Sequence, residues 1–113
     1  MSVSGIKTLA DRARERGERL SAALATLDRE LAVYARREGG RFIRYGSTAT
    51  GRAQAHSDVD IIADFADDER CLAACRFADY ACLDRSLKPD VRPVQWSSPK
   101  IIARALEEGR ILS

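Results

Sequence analysis

The stretch that most constrains this chain runs from Arg44 to Phe65, RYGSTATGRAQAHSDVDIIADF. An apolar strand leads into Gly46-Ser47, ten residues follow, and Asp58-Val59-Asp60 open a second apolar strand. Side chains alternate faces along a strand, so Asp58 and Asp60 share one face while Val59 and Ile61 share the other. The pattern therefore predicts a core beneath one face and a polar site on the other.

The carboxylates of Asp58 and Asp60 are suited to a divalent cation. Their Cα atoms lie roughly 7 Å apart on an extended strand, and neighbouring negative charges repel unless a cation intervenes. Mg²⁺ is usually held by one or two carboxylates together with substrate phosphates. The pattern favours a Mg²⁺ site, and the alternative is a pair of solvated residues on the wet face of an edge strand.

Gly46 and Ser47 form the turn after the first strand. Glycine lets backbone N–H groups approach an anion closely, and Ser47 adds a hydroxyl donor. A short helix beginning at Thr48 would be capped by Ser47 and would direct its N-terminus toward phosphate. We therefore interpret Gly46 and Ser47 as residues that bind a nucleotide triphosphate.

Two other motifs fail on specific residues. A Walker loop from Gly46 would need Lys and Ser or Thr where Arg52-Ala53 stand. An EF-hand from Asp58 would need Asp or Asn and then Gly where Ile62-Ala63 stand. Neither motif explains the stretch.

The spacing of Gly-Ser, ten residues and Asp-x-Asp resembles the signature of the polymerase-beta-like nucleotidyltransferase superfamily. In its compactness the chain resembles the minimal nucleotidyltransferases, the antitoxin partners of HEPN-domain ribonuclease toxins. This resemblance extends from about Phe42 to the C-terminus. It implies a Mg²⁺-dependent enzyme that moves AMP from ATP onto an acceptor hydroxyl. The implied acceptor is a tyrosine of a HEPN toxin, and this AMPylation silences the toxin.

The resemblance also implies a third carboxylate on a neighbouring strand, which helps hold the metal and accepts the proton of the acceptor hydroxyl. Asp90 is the residue available, with Asp64 as the second candidate. Many relatives carry Arg directly after the Gly-Ser pair, where this chain has Thr48. Arg52 is the candidate to replace that phosphate contact.

Two other functions remain open. One is a non-catalytic binding module that neutralises the toxin by occlusion, and the intact Gly46, Ser47, Asp58 and Asp60 speak against it. The other is a transferase for small molecules such as aminoglycosides. A chain of 113 residues leaves no second domain to form such an acceptor pocket.

Length and composition limit the domain organisation, partners and location that we expect. The expected organisation is one domain, residues 1–113, with a modest core. Basic residues prevail up to Arg44, but we interpret them as a solvated helix face, so nucleic acid is not an expected direct partner. No apolar run reaches membrane-spanning length and no apolar signal core is present, so we expect a cytoplasmic protein.

The remaining segments predict helices around a small sheet. Apolar residues at helical spacing from Leu20 to Tyr34 predict a helix over 4–38, with Ser4 as N-cap and Gly17 as a point where it bends or divides. Strands are predicted over 41–45, 58–65 and 90–94, and helices from 67 to about 86 and over 100–108. The expected fold class is α/β, a small mixed sheet flanked by helices, which is the polymerase-beta-like palm fold.

The cysteines, the single histidine and the single tryptophan each have a possible functional role. Cys71, Cys75 and Cys82 fall on one helical stripe, which predicts buried thiols rather than a zinc site or a disulfide. His56 is expected to be a solvated loop residue. Trp96 is expected in the core.

Overall fold

The structure, a computed structural model, describes residues 6–54 and 56–113. Its elements are, in order, α1 (Leu9–Glu38), β1 (Arg41–Tyr45), β2 (Asp58–Asp64), α2 (Asp68–Leu83), β3 (Lys88–Pro93), a 3-10 turn (Val94–Trp96), α3 (Pro99–Glu108) and β4 (Arg110–Leu112). The expected α/β class, a small mixed sheet flanked by helices, is confirmed. No helix in these two ranges is both long enough and apolar enough to cross a membrane.

The four strands form one sheet in the order β3-β2-β1-β4. β1 runs antiparallel to both β2 and β4, and β3 runs parallel to β2. Proline lacks the N–H that a central strand needs, so Pro89 and Pro93 agree with the edge position of β3. The C-terminal tail forms the opposite edge, where Leu112 pairs with Phe42.

Helices α1 and α2 cover one face of the sheet and form the main core with it. Each fully buried Leu, Ile, Val or Phe side chain contributes about 1.5–3 kcal/mol relative to an exposed one. Most of the burial therefore lies on this face. Its largest fully buried members are Leu27, Leu31, Phe42, Val59, Ile61, Cys71 and Cys82.

The three cysteines are free and buried in this core, as predicted. Burial and the nearby charge of Asp79 raise the pKa of Cys75 to about 11 and that of Cys82 to about 12. The thiol of Cys71 accepts a hydrogen bond from the Phe65 N–H at 3.3 Å. The thiols of Cys75 and Cys82 therefore stay protonated at neutral pH, and all three cysteines pack as small apolar side chains.

Helix α3 packs on the other face of the sheet. Ala105 of α3 lies against Ile43 and Ile62, which together form a smaller buried cluster. Asp58 lies on this same face and is exposed, while Asp60 and Asp90 are partly exposed. One face of the sheet thus packs in the main core, and the other carries a small apolar cluster next to a polar region.

Helix α1 begins later than predicted. Thr8 is its N-cap: the Thr8 hydroxyl accepts from the Asp11 N–H, and the Asp11 carboxylate accepts from the Thr8 N–H. This capping box sets the start at Leu9, so residues 6–8 are not helical, and the predicted cap Ser4 lies outside the described residues. The helix continues unbroken through Gly17 and ends at Gly39, whose φ is 73°.

The expectation that Trp96 lies in the core is wrong. Its side chain is 71% exposed on the 3-10 turn, and Val94 is the residue of that turn that packs inward. Strand β2 also ends one residue early, because the Phe65 N–H bonds to Cys71. Helix α2 ends at Leu83, and β3 covers Lys88–Pro93.

Candidate active site

Three carboxylates lie together on the face of the sheet that carries α3. Asp60 pairs with Tyr45 of β1 on one side and with Asp90 of β3 on the other. Residues paired directly across neighbouring strands share a face, and Asp58 lies two residues from Asp60 on the same face. The structure thus brings together the three carboxylates singled out from the sequence.

The second candidate for the third carboxylate lies elsewhere. Asp64 is on the same face of β2 but at its opposite end, where it accepts a hydrogen bond from Arg41 at 2.8 Å. Its charge is compensated there by the Arg41 side chain, in an ion pair that is about a third exposed. Asp90, rather than Asp64, is the carboxylate beside Asp60.

The surroundings of Asp60 disfavour the charged form of its carboxylate. Its partial burial, a hydrogen bond with Asp90 and the negative charges of Asp90 and Asp58 raise the pKa of Asp60 from 3.8 to about 6, against the opposing charge of Arg92. Burial and the charge of Asp60 also raise the pKa of Tyr45. Burial and the neighbouring carboxylates therefore make the charged form of Asp60 less favourable than that of an exposed carboxylate.

The cations nearest to this cluster make only loose contacts with it. Lys88 Nζ lies 3.9 Å from Asp58 Oδ1, and Arg92 Nε lies 3.4 Å from Asp90 Oδ1. All four side chains are substantially exposed, so these pairs contribute little to stability. Arg104 of α3 adds a further positive charge close enough to act on Tyr45 and Asp60.

The donor set fits a hard divalent cation. All three candidates supply carboxylate oxygens, the ligands that Mg²⁺ and Ca²⁺ prefer. As the side chains stand, no three acidic, thiol or imidazole groups within residues 6–54 and 56–113 have the spacing of a ligand set. Asp58 and Asp90 turn toward Lys88 and Arg92 instead. A cation bound here would take over the role of those two side chains as counter-charge.

The Gly-Ser turn packs directly against Asp60. Gly46 has φ +76°, and a Cβ at this position would lie 2.3 Å from Asp60 Oδ2. A larger residue would therefore meet both backbone strain and a collision with the carboxylate. Glycine is what allows the proposed phosphate turn and the proposed metal ligand to approach each other.

Residues after Ser47 form a turn and not the short helix that we predicted. The N–H groups of Ala49 and Thr50 donate to the Gly46 carbonyl at 3.1 and 3.2 Å, and the Arg52 N–H donates to the Ser47 carbonyl at 3.1 Å. The chain then leaves this turn through Gly51, whose φ is also +76°. Ser47 consequently caps no helix.

A buried ion pair, which sequence reasoning missed, fixes this turn from the other side of the sheet. Arg44 is 2% exposed; its Nε and Nη2 donate to the two oxygens of Asp28 at 2.8 and 2.9 Å. Its Nη1 donates to the Thr48 carbonyl at 2.7 Å. Helix α1, strand β1 and the turn are therefore joined by one guanidinium.

The sequence signal for this pair is the alternation of side chains along β1. Arg44 lies on the same face of β1 as Phe42, and a charge on a core face needs a partner. Arg52, which we expected to contact phosphate, is exposed and donates to the Thr50 hydroxyl at 3.0 Å. In this structure Arg44 supports the turn, and Arg52 lies at its outer end.

Comparison with known families decides the membership of the chain. A family model described as a nucleotidyltransferase domain matches residues 29–112, which is most of the chain. The chain belongs to the nucleotidyltransferase domain family. A search of curated proteins finds no match.

The matched region of this nucleotidyltransferase domain contains all four strands, α2 and α3. Of helix α1 it includes only the part from residue 29 onward. The carboxylate cluster and the Gly-Ser turn both lie within it. Nucleotidyl transfer is therefore the general chemistry assigned to this region, and domains of this kind use nucleotide substrates and a divalent metal.

Proposed function

We propose that this protein is a Mg²⁺-dependent adenylyltransferase that moves AMP from ATP to a hydroxyl group of a partner protein. We further propose that the partner is a HEPN-type ribonuclease toxin, that the hydroxyl belongs to a tyrosine, and that the protein acts in the cytoplasm as its antitoxin. Family membership supports nucleotidyl transfer. The resemblance of the Gly-Ser and Asp-x-Asp spacing to minimal nucleotidyltransferases supports the choice of partner.

One observation carries the proposal. Asp60 lies in one row with Asp90, and the Gly46 turn touches Asp60 from the opposite side. The proposed phosphate-binding turn and a second proposed metal ligand, Asp90, therefore both lie beside the carboxylate of Asp60. Phosphoryl-type transfer depends chiefly on such positioning and on compensation of charge.

The three carboxylates have distinct proposed roles. Asp58, Asp60 and Asp90 would hold Mg²⁺, which when bound compensates the charge that develops on the phosphate oxygens. Gly46 and Ser47 would bind the triphosphate through backbone N–H groups and the serine hydroxyl. Asp90 would accept the proton of the acceptor hydroxyl.

The reaction conserves atoms and charge in one displacement. The acceptor oxygen forms a bond to the α-phosphorus while the bond from that phosphorus to the oxygen bridging to the β-phosphate breaks. Pyrophosphate leaves with the bonding electrons, and the hydroxyl proton passes to Asp90. Arg92 and Arg104 stand beside this cluster and would stabilise the negative charge that accumulates there.

The test is mass spectrometry of a HEPN partner co-expressed with the protein. The expected result is a mass gain of one or more AMP units on a tyrosine, reduced by about 10²–10³-fold in rate with Asp60→Asn, as for removal of one group that stabilises the transition state. Asp64→Asn is the matched control, because it removes a carboxylate from the same face of β2 but away from the cluster. It should leave modification unchanged.

Other outcomes point to the alternatives. Neutralisation of the toxin by Asp60→Asn as complete as by the unaltered protein, without AMP on the partner, would support occlusion. Protection against aminoglycosides that depends on Asp60 would support a small-molecule acceptor. Equal loss of modification in Asp64→Asn and Asp60→Asn would contradict the assigned cluster.

A further inference from the structure

A basic groove runs along α1 at the end of the sheet. It consists of two adjoining depressions of about 590 and 450 Å³, which share Arg16 and Leu20. One lies between α1 and the segment containing Gln54 and His56, and the other lies between α1 and residues 85–87. We refer to the two depressions together as the α1 groove.

The charge of the α1 groove has one sign. Arg16, Arg19 and Arg85 line it, whereas no Asp or Glu is among its lining residues. Arg85 is engaged by Glu30 and by the Ala81 carbonyl. Arg16 and Arg19 are exposed and have no ion-pair partner within the described part of the chain. Two unpaired arginines facing a shared depression favour an anionic occupant.

The α1 groove lies beside the segments that lead into β2 and β3. His56, on one wall, precedes Asp58 by two residues, and Leu87, on the other wall, directly precedes Lys88. Lys88 pairs with Asp58 in the sheet register. An occupant of the groove would therefore lie near the start of β2, which carries Asp58. The α1 residues that line it precede residue 29, so the family match does not account for them.

The lining favours a polypeptide over a nucleic acid. Single-stranded nucleic acids are held by basic grooves that also contain aromatic side chains on which bases stack. The α1 groove has no Phe, Tyr or Trp among its lining residues. Its apolar surface is provided by Leu20, Leu87 and alanines, which suit aliphatic side chains.

We propose that the α1 groove binds an acidic segment of the acceptor protein next to the hydroxyl that is modified. This inference rests on the proposed transfer to a protein hydroxyl and narrows the acceptor to one flanked by Asp or Glu. Arg16 and Arg19 are specificity-determining residues for the acceptor. They take no part in nucleotide binding or in the transfer itself.

Two labelled peptides test this proposal with the full chain and without nucleotide. Both contain one tyrosine, followed in one peptide by a run of glutamates and in the other by a run of glutamines. We expect the glutamate peptide to bind at least about tenfold more tightly at low salt, and this difference to shrink as salt screens the exposed charges. Fluorescence anisotropy measures both affinities.

Matched charge reversals locate the binding. The variant Arg16→Glu with Arg19→Glu should lower the affinity for the glutamate peptide to that of the glutamine peptide. The control Arg12→Glu with Arg76→Glu makes the same change of net charge at exposed arginines that do not line the groove. It should leave the affinity within about twofold, and circular dichroism checks that both variants keep their helix content.

Three results would overturn the inference: equal binding of the two peptides, equal weakening by both double variants, or tighter binding of a labelled oligouridylate that is lost in the groove variant alone. The last result would assign the groove to nucleic acid. Pyrophosphate release with ATP is measured in parallel. Absence of release with the glutamate peptide bound would count against the proposed transfer, whereas the groove is judged by the binding data alone.

Discussion

Each face of the sheet carries a cluster of charged side chains, and the two clusters differ in how their charges are paired. On the face covered by α1, Asp28 receives two hydrogen bonds from Arg44, which also satisfies the Thr48 carbonyl. On the face that carries α3, Asp60 adjoins another carboxylate, and its nearby cations are exposed. The carboxylate of Asp28 thus has a buried partner, whereas among the described residues the buried Thr48 hydroxyl beside it has none. The carboxylates around Asp60 have only exposed cations nearby.

The difference separates a structural polar group from a functional one. Buried polar groups with every partner supplied hold one conformation and leave nothing for a ligand. A carboxylate whose pKa is raised by burial and by neighbouring carboxylates, as that of Asp60 is, is a common sign of a site that binds or reacts. The two clusters lie on adjacent residues of β1, Arg44 and Tyr45, so strand parity alone assigns one to each role.

The largest expected effect comes from breaking the ion pair between Asp28 and Arg44. Arg44→Met leaves the carboxylate of Asp28 largely buried without its main partner, so the free energy of unfolding should fall by about 3–5 kcal/mol. Urea denaturation measures the loss. The double variant Asp28→Leu with Arg44→Met removes both charges and should recover much of it.

The control for Arg44→Met is a more exposed pair. Arg41→Met breaks the contact with Asp64, in which both side chains are about a third exposed. The expected loss there is at most about 1 kcal/mol. Equal effects of Arg41→Met and Arg44→Met would show that burial does not distinguish the two pairs.

A smaller effect tests the contact between the turn and the open cluster. Gly46 and Gly51 both have φ +76°, so alanine at either position should cost about 1 kcal/mol of stability. A Cβ at Gly46 would also displace Asp60, whereas at Gly51 it meets nothing within 4 Å. Gly46→Ala should therefore reduce nucleotidyl transfer by more than about tenfold beyond Gly51→Ala, since misplacement of a reacting group is costly.

Initial rates of pyrophosphate release compare the two glycine variants at equal concentrations of folded protein. Similar rates would mean that the close approach of Gly46 to Asp60 is unimportant for the reaction. A rate loss in Gly51→Ala alone would place the essential conformation at the far end of the turn.

Much of the site followed from local pattern. The alternation of β2 placed Asp58 and Asp60 on the face opposite Val59 and Ile61, and this holds because a strand with a buried face has little freedom of register. The edge position of β3 agrees with Pro93, which lacks the N–H that a central strand needs. Both inferences rest on backbone geometry that does not depend on distant partners.

The features that sequence reasoning missed depend mostly on contacts between distant segments. Arg44 meets Asp28 across 16 positions of sequence. Strand parity indicates that Arg44 needs a partner, but nothing near either residue identifies Asp28 as that partner. Trp96 was expected inside because of its size, but the turn after β3 directs Val94 inward instead. The predicted start of α1 was wrong for a different reason. Ser4 and Thr8 are both acceptable caps, and only the reciprocal hydrogen bonds with Asp11 favour Thr8.

The smallest expected effect is a gain in stability from removing a charge of the open cluster. The pKa of Asp60 in the folded protein, about 6, is above its ordinary 3.8, so folding favours the protonated form. Stability should therefore fall as pH rises from about 4 to 6, and the cost is fully present above pH 6. Asp60→Asn removes this cost and should be more stable than the unaltered protein at neutral pH by about 1 kcal/mol, after allowance for solvent screening of a partly exposed group.

The difference in stability between the two proteins should vanish below the ordinary pKa, where both side chains are uncharged. Mg²⁺ should raise the melting temperature of the unaltered protein more than that of Asp60→Asn. A variant that is less stable at neutral pH, or a difference that does not change with pH, would mean that the carboxylates of the open cluster are as well compensated as Asp28.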